Sequence, residues 1–306
     1  MSKPVFHHEA LIYSDPDDFL GGTVPFLRDG LQAGEPALVA VSRRNTQLLE
    51  GELGADADEI RFAPMEELGR NPARIISFWR DFLDAQGGRP VRGIGEPVWP
   101  GRRAAEIDEC QRHESLLNVA FSQPPSWSLL CPYDCAALSD DVLAGVSHSH
   151  SSVRSRGVSE PSGDYLAERD CFAGALPDPP AAAEAFVFDR SKLFSVRRWV
   201  ERVAGEAGIA PQRAADLVVA ASELAANSVA HGGGVGTLRT WRDPGRLLIE
   251  FEDRGTLEEP LAGRLRPSVA QERGRGLWLA NQLCDLVQIR SSTLGTVVRL
   301  QTAISG

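Results

Sequence analysis

The sequence predicts two domains of different class, an open and mainly parallel α/β sheet followed by an α+β sandwich. Three observations carry this. In the first half, short apolar strands alternate with amphipathic helices, the pattern of a sheet covered on both faces. From Ser149 to Glu184 the rhythm stops, in "SHSSVRSRGVSEPSG" and "AGALPDPPAAAEA". Beyond it the order becomes helix, helix, hairpin, helix, hairpin. A chain of 306 residues, 42% of them hydrophobic, is long enough for two cores. The expected limits are 1–148 for the first domain, 149–184 for a linker and 185–306 for the second domain.

In the first domain, strands are expected at Glu9–Tyr13, Pro36–Ser42, Glu59–Ala63, Val91–Glu96 and Trp127–Cys131. Between them lie helices. Asp15–Ala33 is closed by Gly34, and Asn45–Leu53 follows the second strand. Asn71 caps a helix with Pro72 at its first position, running to Gln86 and stopping at Gly87-Gly88. Ala104–Asn118 and Asp140–Ser147 complete the set. The linker is read as flexible, as is the Ser/His tract that holds His148 and His150, with a short helix near Tyr165–Cys171. In the second domain "AFVFD" is a strand, Leu193–Glu206 a helix, and Pro211 opens a longer helix through His231. "GTLRTWR" and "RLLIEFED" pair across Asp243–Gly245, and "DLVQIRS" and "GTVVRLQT" across Ser292–Gly295, as two hairpins. A loop, Arg254–Arg273, leads to the helix Arg275–Cys284. Helices are expected on one face of a mixed sheet.

The bulk chemistry excludes several classes. A formal charge of −10 argues against non-specific nucleic-acid binding. No apolar run approaches the roughly 20 residues that span a bilayer, and the N-terminus does not read as a signal peptide, so a cytoplasmic protein is expected. Five irregularly spaced cysteines read as reduced thiols. Cys131-x3-Cys135 alone is too little for a zinc site. Lysine occurs only at Lys3 and Lys192. Neither fits a Walker A loop or a kinase V-A-I-K strand.

The stretch "ASELAANSVAHGGG" carries the strongest chemical signal. Glu223, Asn227 and His231 recur every fourth residue and so share one helix face, while Leu217, Ala221, Leu224 and Ala225 suit a core. An amide oxygen suits Mg²⁺, and a carboxylate one turn earlier can take a proton from a hydroxyl. Two further pieces lie at element ends. "EDRG" closes a strand, offering Asp253 and Gly255. "GRGLWLANQLCD" places Gly274 and Gly276 at a helix start, where free backbone amides favour phosphate.

These three pieces, in this order, resemble the ATPase family shared by histidine kinases and gyrase, the GHKL or Bergerat fold. "ELAANSVAHGG" and "GRGLWLANQLCDLVQIRSSTLGTVVRL" look most like bacterial anti-sigma factor serine kinases, regulators of transcription in stress responses. The resemblance spans Ala185–Thr302. It implies ATP and Mg²⁺ as cofactors, Asn227 as the Mg²⁺ ligand and Glu223 as the catalytic base. It implies Asp253 on the adenine amino group with Gly255 beside it, Gly274 and Gly276 bordering the phosphates, and Thr296 near the adenine. It further implies a sigma factor and an anti-anti-sigma protein of the STAS type as partners, and a homodimer. The family's first glycine box reads D-x-G-x-G. Here Leu257 replaces the second glycine, which narrows the adenine pocket or weakens nucleotide binding.

In an open α/β sheet, ligands sit beyond the carboxyl ends of the strands. Around those ends lie "HHEALIY", "GIGEPVW", "RHESLLN" and "LLCPYD". This half resembles the MEDS sensory domain, a RecA/KaiC-like sheet lacking its phosphate loop. The resemblance implies a small sensed ligand. His7, Glu96, His113, Glu114, Cys131 and Asp134 are the candidate pocket for a metal or ligand. Equally, His113 and Glu114 read as ordinary helix residues and Tyr133-Asp134 as a cap. Trp99 and Trp127 read as core.

Three functions stay open at this point. The first is a sensor-controlled anti-sigma factor that also phosphorylates a serine or threonine. The second is a protein-binding regulator with a vestigial ATP site. The third is a histidine kinase-like sensor, although no phospho-accepting helix pair is apparent.

Overall fold

Phe6–Tyr13 forms β1, flanked in parallel by strands that come much later in the chain. The computed structural model describes residues 6–122, 126–166, 174–268 and 274–304. The chain divides into two compact units, residues 1–169 and 170–306.

After β1 the first unit continues with α1 (Pro16–Gln32), β2 (Ala37–Val41), α2 (Arg43–Leu53), β3 (Ile60–Pro64), α3 (Met65–Leu68), α4 (Ile75–Ala85), β4 (Val91–Gly95), α5 (Ala104–Ala120), β5 (Trp127–Asp134), α6 (Asp140–Ala144), α7 (Val146–Ser149), β6 (Ser152–Ser155) and β7 (Val158–Pro161). The seven strands order as β3-β2-β4-β5-β1-β6-β7, parallel except for the β6–β7 hairpin. The expected open, mainly parallel sheet is present. Its centre is apolar as parallel strands covered on both faces require: every residue of β2, Ala-Leu-Val-Ala-Val, is buried. Trp79 and Trp127 are fully buried, the latter as expected.

The local signals place the helices. The Asp15 carboxylate caps α1 by accepting from the Asp18 amide at 2.9 Å, with Pro16 at the first position. Asn71 accepts from the Ala73 amide at 3.1 Å, as expected of a cap, although the first turn is 3-10 and α4 begins at Ile75. The helix expected over Asp140–Ser147 divides into α6 and α7 at Gly145.

The segment read as a flexible linker departs most from expectation. Residues 152–161 form β6 and β7 and extend the sheet beside β1, with Glu9 opposite Ser152. Their turn places both Arg156 (φ 48°) and Gly157 (φ 79°) in the left-handed region, as two-residue hairpin turns prefer. His150, expected in that flexible tract, is fully buried. The short helix expected at Tyr165–Cys171 falls mostly outside the described residues.

The second unit contains β8 (Glu184–Asp189), α8 (Leu193–Glu206), α9 (Pro211–His231), β9 (Val235–Asp243), β10 (Arg246–Asp253), α10 (Arg275–Leu283), β11 (Leu286–Ser292) and β12 (Gly295–Ala303). The sheet order is β11-β12-β10-β9-β8. Every pair is antiparallel, so the expected mixed sheet is corrected. Consecutive strands joined by hairpins pair antiparallel, and α10 returns the chain to the far edge of the sheet. The core lies between helices and sheet and includes Val196, Val200, Leu217, Leu224, Ile249, Phe251 and Leu300. Among the described residues, no helix is long and apolar enough to cross a membrane. Among the described residues, no disulfide joins Cys110, Cys131, Cys135 or Cys284.

Candidate functional site

Of the three glycines that end the long helix α9, the first is set by crowding and the other two by left-handed backbone, at φ 87° and 86°. A side chain at Gly232 would land on the Asp253 carboxylate. One at Gly255 would come within 2.5 Å of the His231 carbonyl oxygen. The helix end and the end of β10 therefore meet backbone to backbone, which only glycine permits at both points. The Arg254 amide donates to the Gly232 carbonyl at 3.2 Å and ties the two segments.

This junction borders a cleft of 530 Å³. Leu224, Phe251 and Val298 are among its apolar lining, and Asn227, His231, Asp253 and Thr296 are among its polar residues. A mostly apolar cleft with a few placed polar groups is the form of small-molecule sites. Asp253 and Thr296 are register partners on β10 and β12. Asp253 Oδ1 accepts from the Gly255 amide at 2.9 Å, and Thr296 Oγ1 donates to the Gly255 carbonyl at 2.8 Å. Ser291 Oγ lies 2.8 Å from Thr296 Oγ1 and accepts from the Leu257 amide at 2.8 Å. Serine 291 had no part in the sequence reading. Its signal was its place in the hairpin, opposite Thr296.

Of the residues expected at a nucleotide, Asn227, Asp253, Gly255, Gly274 and Thr296 line the cleft. Gly274 caps α10 in the left-handed region at φ 83°. Gly276 lies in the first turn of α10 against Asn227 and Glu223. A Cβ there would stand 3.0 Å from Asn227 Nδ2 and 3.1 Å from Glu223 Oε2. Leu257, standing where the family motif has glycine, lines the cleft. Residues 269–273 of the loop before α10 lie outside the described residues.

The six residues expected to form one pocket in the first unit do not assemble. His7 and His8 alternate across β1, so one imidazole is exposed and the other buried. His7 lines a separate depression with Arg92 and Arg154. Asp134 turns to the Ala136 amide, accepting at 3.0 Å, and so acts as a local cap. His113 is buried on α5, but adjacent helix residues diverge in direction, and it is not part of the cluster around Glu114. Glu96 belongs to a different buried set. Its Oε2 accepts from the Ser42 amide at 2.7 Å, and its Oε1 from Asn45 at 2.9 Å and the Tyr13 hydroxyl at 3.3 Å. Burial pushes the Glu96 carboxyl above its ordinary value, against the pull of these donors.

Only Glu114 and Cys131 come together, and they do so with His8 and His150. Burial alone would raise the Glu114 carboxyl; the adjacent imidazoles of His150 and His8 hold it well below the usual carboxylate range. Burial lowers His8 and raises the Cys131 thiol. The buried His150, read from sequence as part of a mobile tract, is also unsuited to accept a phosphoryl group.

Comparison with known proteins follows the same division. Residues 7–151 match the family described as the MEthanogen/methylotroph, DcmR Sensory domain, MEDS. Residues 186–302 match the histidine kinase-like ATPase domain. No curated protein matches the chain. A solved structure of the RsbU and RsbW domains of Rv1364c from Mycobacterium tuberculosis is similar at 21% identity, with a TM-score of 0.31. The similarity covers 40% of this chain and 33% of that one.

Proposed function

For this chain, which joins a MEDS sensory domain to a histidine kinase-like ATPase domain, we propose a signalling regulator of the anti-sigma factor kinase type. Its second domain binds ATP with Mg²⁺ and engages a sigma factor. It phosphorylates a serine or threonine on an anti-anti-sigma partner of the STAS type. The first domain responds to a small ligand and sets that activity. The observation that carries this reading is the cleft in which Asn227, Asp253, Gly255, Gly274 and Thr296 converge.

The residues present fit a nucleotide. The close approach of Gly276 to Asn227 and Glu223 leaves backbone where a Cβ would intrude. The start of α10 offers amides without helical partners. Asp253 offers a carboxylate oxygen that can accept from an exocyclic amino group while its other oxygen holds the Gly255 amide. Asn227 offers an amide oxygen to Mg²⁺. Bound MgATP supplies the phosphoryl group. Glu223, one helical turn before Asn227, takes the proton of the partner's hydroxyl, and the apolar lining excludes water from the transfer.

Calorimetry with MgATP tests the first half of this proposal. Saturable binding that Asn227→Ala and Asp253→Ala both abolish supports it; absence of binding at millimolar ATP refutes it. Transfer of acid-stable phosphate to a partner serine, lost in Glu223→Gln while nucleotide still binds, tests the second half.

One observation favours a second reading, a regulator that binds its partner without catalysis. Leu257 occupies space in the cleft that the family motif leaves to glycine. Sequestration of a sigma factor undiminished in Asn227→Ala would select it.

A further inference from the structure

Independent of the nucleotide cleft, the interior of the first unit holds four donor side chains brought from four separate places. His8 comes from β1, Glu114 from α5, Cys131 from β5, and His150 follows α7. None is more than 2% exposed. We propose that His8, Glu114, Cys131 and His150 bind a divalent transition metal ion of the zinc class.

The outer hydrogen bonds orient the donors. Asn118 Nδ2 donates to the Ser149 carbonyl at 2.7 Å, which leaves Asn118 Oδ1 as an acceptor. His8 Nδ1 lies 3.1 Å from that oxygen and must carry the hydrogen. His150 Nδ1 lies 2.8 Å from the Val146 carbonyl, again an acceptor only, and must carry a hydrogen too. In its neutral form each imidazole therefore turns a bare Nε2 inward, the form in which a histidine binds a metal. Metal-ligating histidines are held in this way, with the second ring nitrogen donating to a carbonyl.

Inside, these lone pairs meet other lone pairs. His8 Nε2 and His150 Nε2 lie 2.9 and 3.2 Å from the same oxygen, Glu114 Oε2, and Cys131 Sγ lies 3.4 Å from His8 Nε2. Yet both Glu114 oxygens and His150 Nε2 lack a hydrogen bond of adequate geometry. Buried polar atoms without partners are costly. A proton can join two of these atoms, whereas a metal ion joins all four.

The dimensions suit such an ion. Bonds of about 2.0–2.3 Å in a tetrahedron set the donor atoms about 3.3–3.7 Å apart. The four donor atoms here all lie within 4.8 Å of one another. Mixed nitrogen, sulfur and carboxylate donors select zinc, cobalt or ferrous iron over magnesium or calcium. The charges also close, because a dication is balanced by the Glu114 carboxylate and the Cys131 thiolate. On binding, the metal–sulfur bond replaces the S–H bond and the thiol proton leaves to solvent, with no oxidant required. Four protein donors complete the shell, so the ion stabilises the sheet and leaves no open position for a substrate.

The test uses the full chain, produced with added zinc and dialysed without chelator. Elemental analysis is expected to find stoichiometric zinc that is lost in Cys131→Ser and in His150→Ala but retained in His7→Ala. Cobalt-substituted protein is expected to show four-coordinate visible bands and a thiolate charge-transfer band. Absence of stoichiometric metal after incubation with zinc or cobalt overturns the proposal. So does metal retained at the wild-type level in both variants. Should the variants fail to fold, the wild-type cobalt spectrum decides, and the lack of a thiolate band overturns the assignment.

Discussion

Asp253 stands opposite Thr296 across β10 and β12, and both side chains hold the same residue, Gly255. The carboxylate accepts from its amide at 2.9 Å and the hydroxyl donates to its carbonyl at 2.8 Å. The turn that leaves β10 is thereby fixed on both sides, and one Asp253 oxygen remains for a ligand. Removing a partner from a half-buried bond of this kind costs about 1–3 kcal/mol. Asp253→Ala is accordingly expected to weaken MgATP binding by at least about tenfold, the equivalent of about 1.4 kcal/mol. Thr296→Val, which keeps the carboxylate, is expected to weaken it less. Titration calorimetry on both variants checks the order; equal affinities would remove Asp253 from the nucleotide's contacts.

Gly276 touches both Asn227 and Glu223, so it can be altered without deleting either. A methyl group there would sit 3.0–3.1 Å from their side chains. Gly276→Ala is expected to displace Asn227 and lower nucleotide affinity. The fold should survive, since alanine favours the helix by about 1 kcal/mol over glycine. Thermal melts beside nucleotide titrations separate the two effects. A variant that binds normally would show that Asn227 has room to yield.

Leu257 tests whether the cleft is restricted. Leu257→Gly is expected to tighten nucleotide binding while lowering stability by about 1 kcal/mol or more through loss of apolar contact and added chain freedom. Competition with a fluorescent nucleotide measures the first and urea melts the second. Unchanged affinity would assign any weakness of binding to another part of the cleft.

Glu96 predicts a slope of stability with pH. Its carboxyl is raised in the folded chain, chiefly by burial, so the folded state holds the proton more firmly than the unfolded state does. That contribution is complete below the ordinary carboxylate value of 4.5 and is lost as pH rises through the folded value. Each tenfold difference in proton affinity is worth about 1.4 kcal/mol. Glu96→Gln, which keeps an acceptor for the Ser42 amide, is expected to flatten this part of the profile. Urea midpoints of both proteins from acid to neutral pH measure it, and parallel profiles would place the slope on another group.

Much of the proposed nucleotide cleft was legible in the chain because its parts are local. Glu223, Asn227 and His231 share a face at helical spacing whatever surrounds them. The glycines after His231 and before α10 mark turns that only certain residues permit. The reason for Gly232 was not legible, since it depends on Asp253 approaching from another element. Leu257 could be seen to depart from the motif, but its place in the cleft required the fold.

The first unit divides differently. The strand–helix alternation sufficed for a parallel sheet, yet the pocket drawn from its strand ends did not form. His7 and His8 are neighbours in sequence and opposites in space, so choosing between them needed to know which face of β1 is buried. His150 lay in a tract rich in serine and glycine, whose composition reads as mobile. Pairing of β6 with β1 orders it instead.

The sequence by itself determined the class of each domain, most of the helices, the two hairpins of the second domain, and the elements of the proposed nucleotide site, because these follow from periodicity, capping and turn chemistry within a few residues. Tertiary structure alone decided that β6 and β7 join the first sheet, that the second sheet is antiparallel throughout, and that His8, Glu114, Cys131 and His150 share one buried point. Contacts between distant segments arise only when burial selects which face of each element turns inward. No local pattern records that choice.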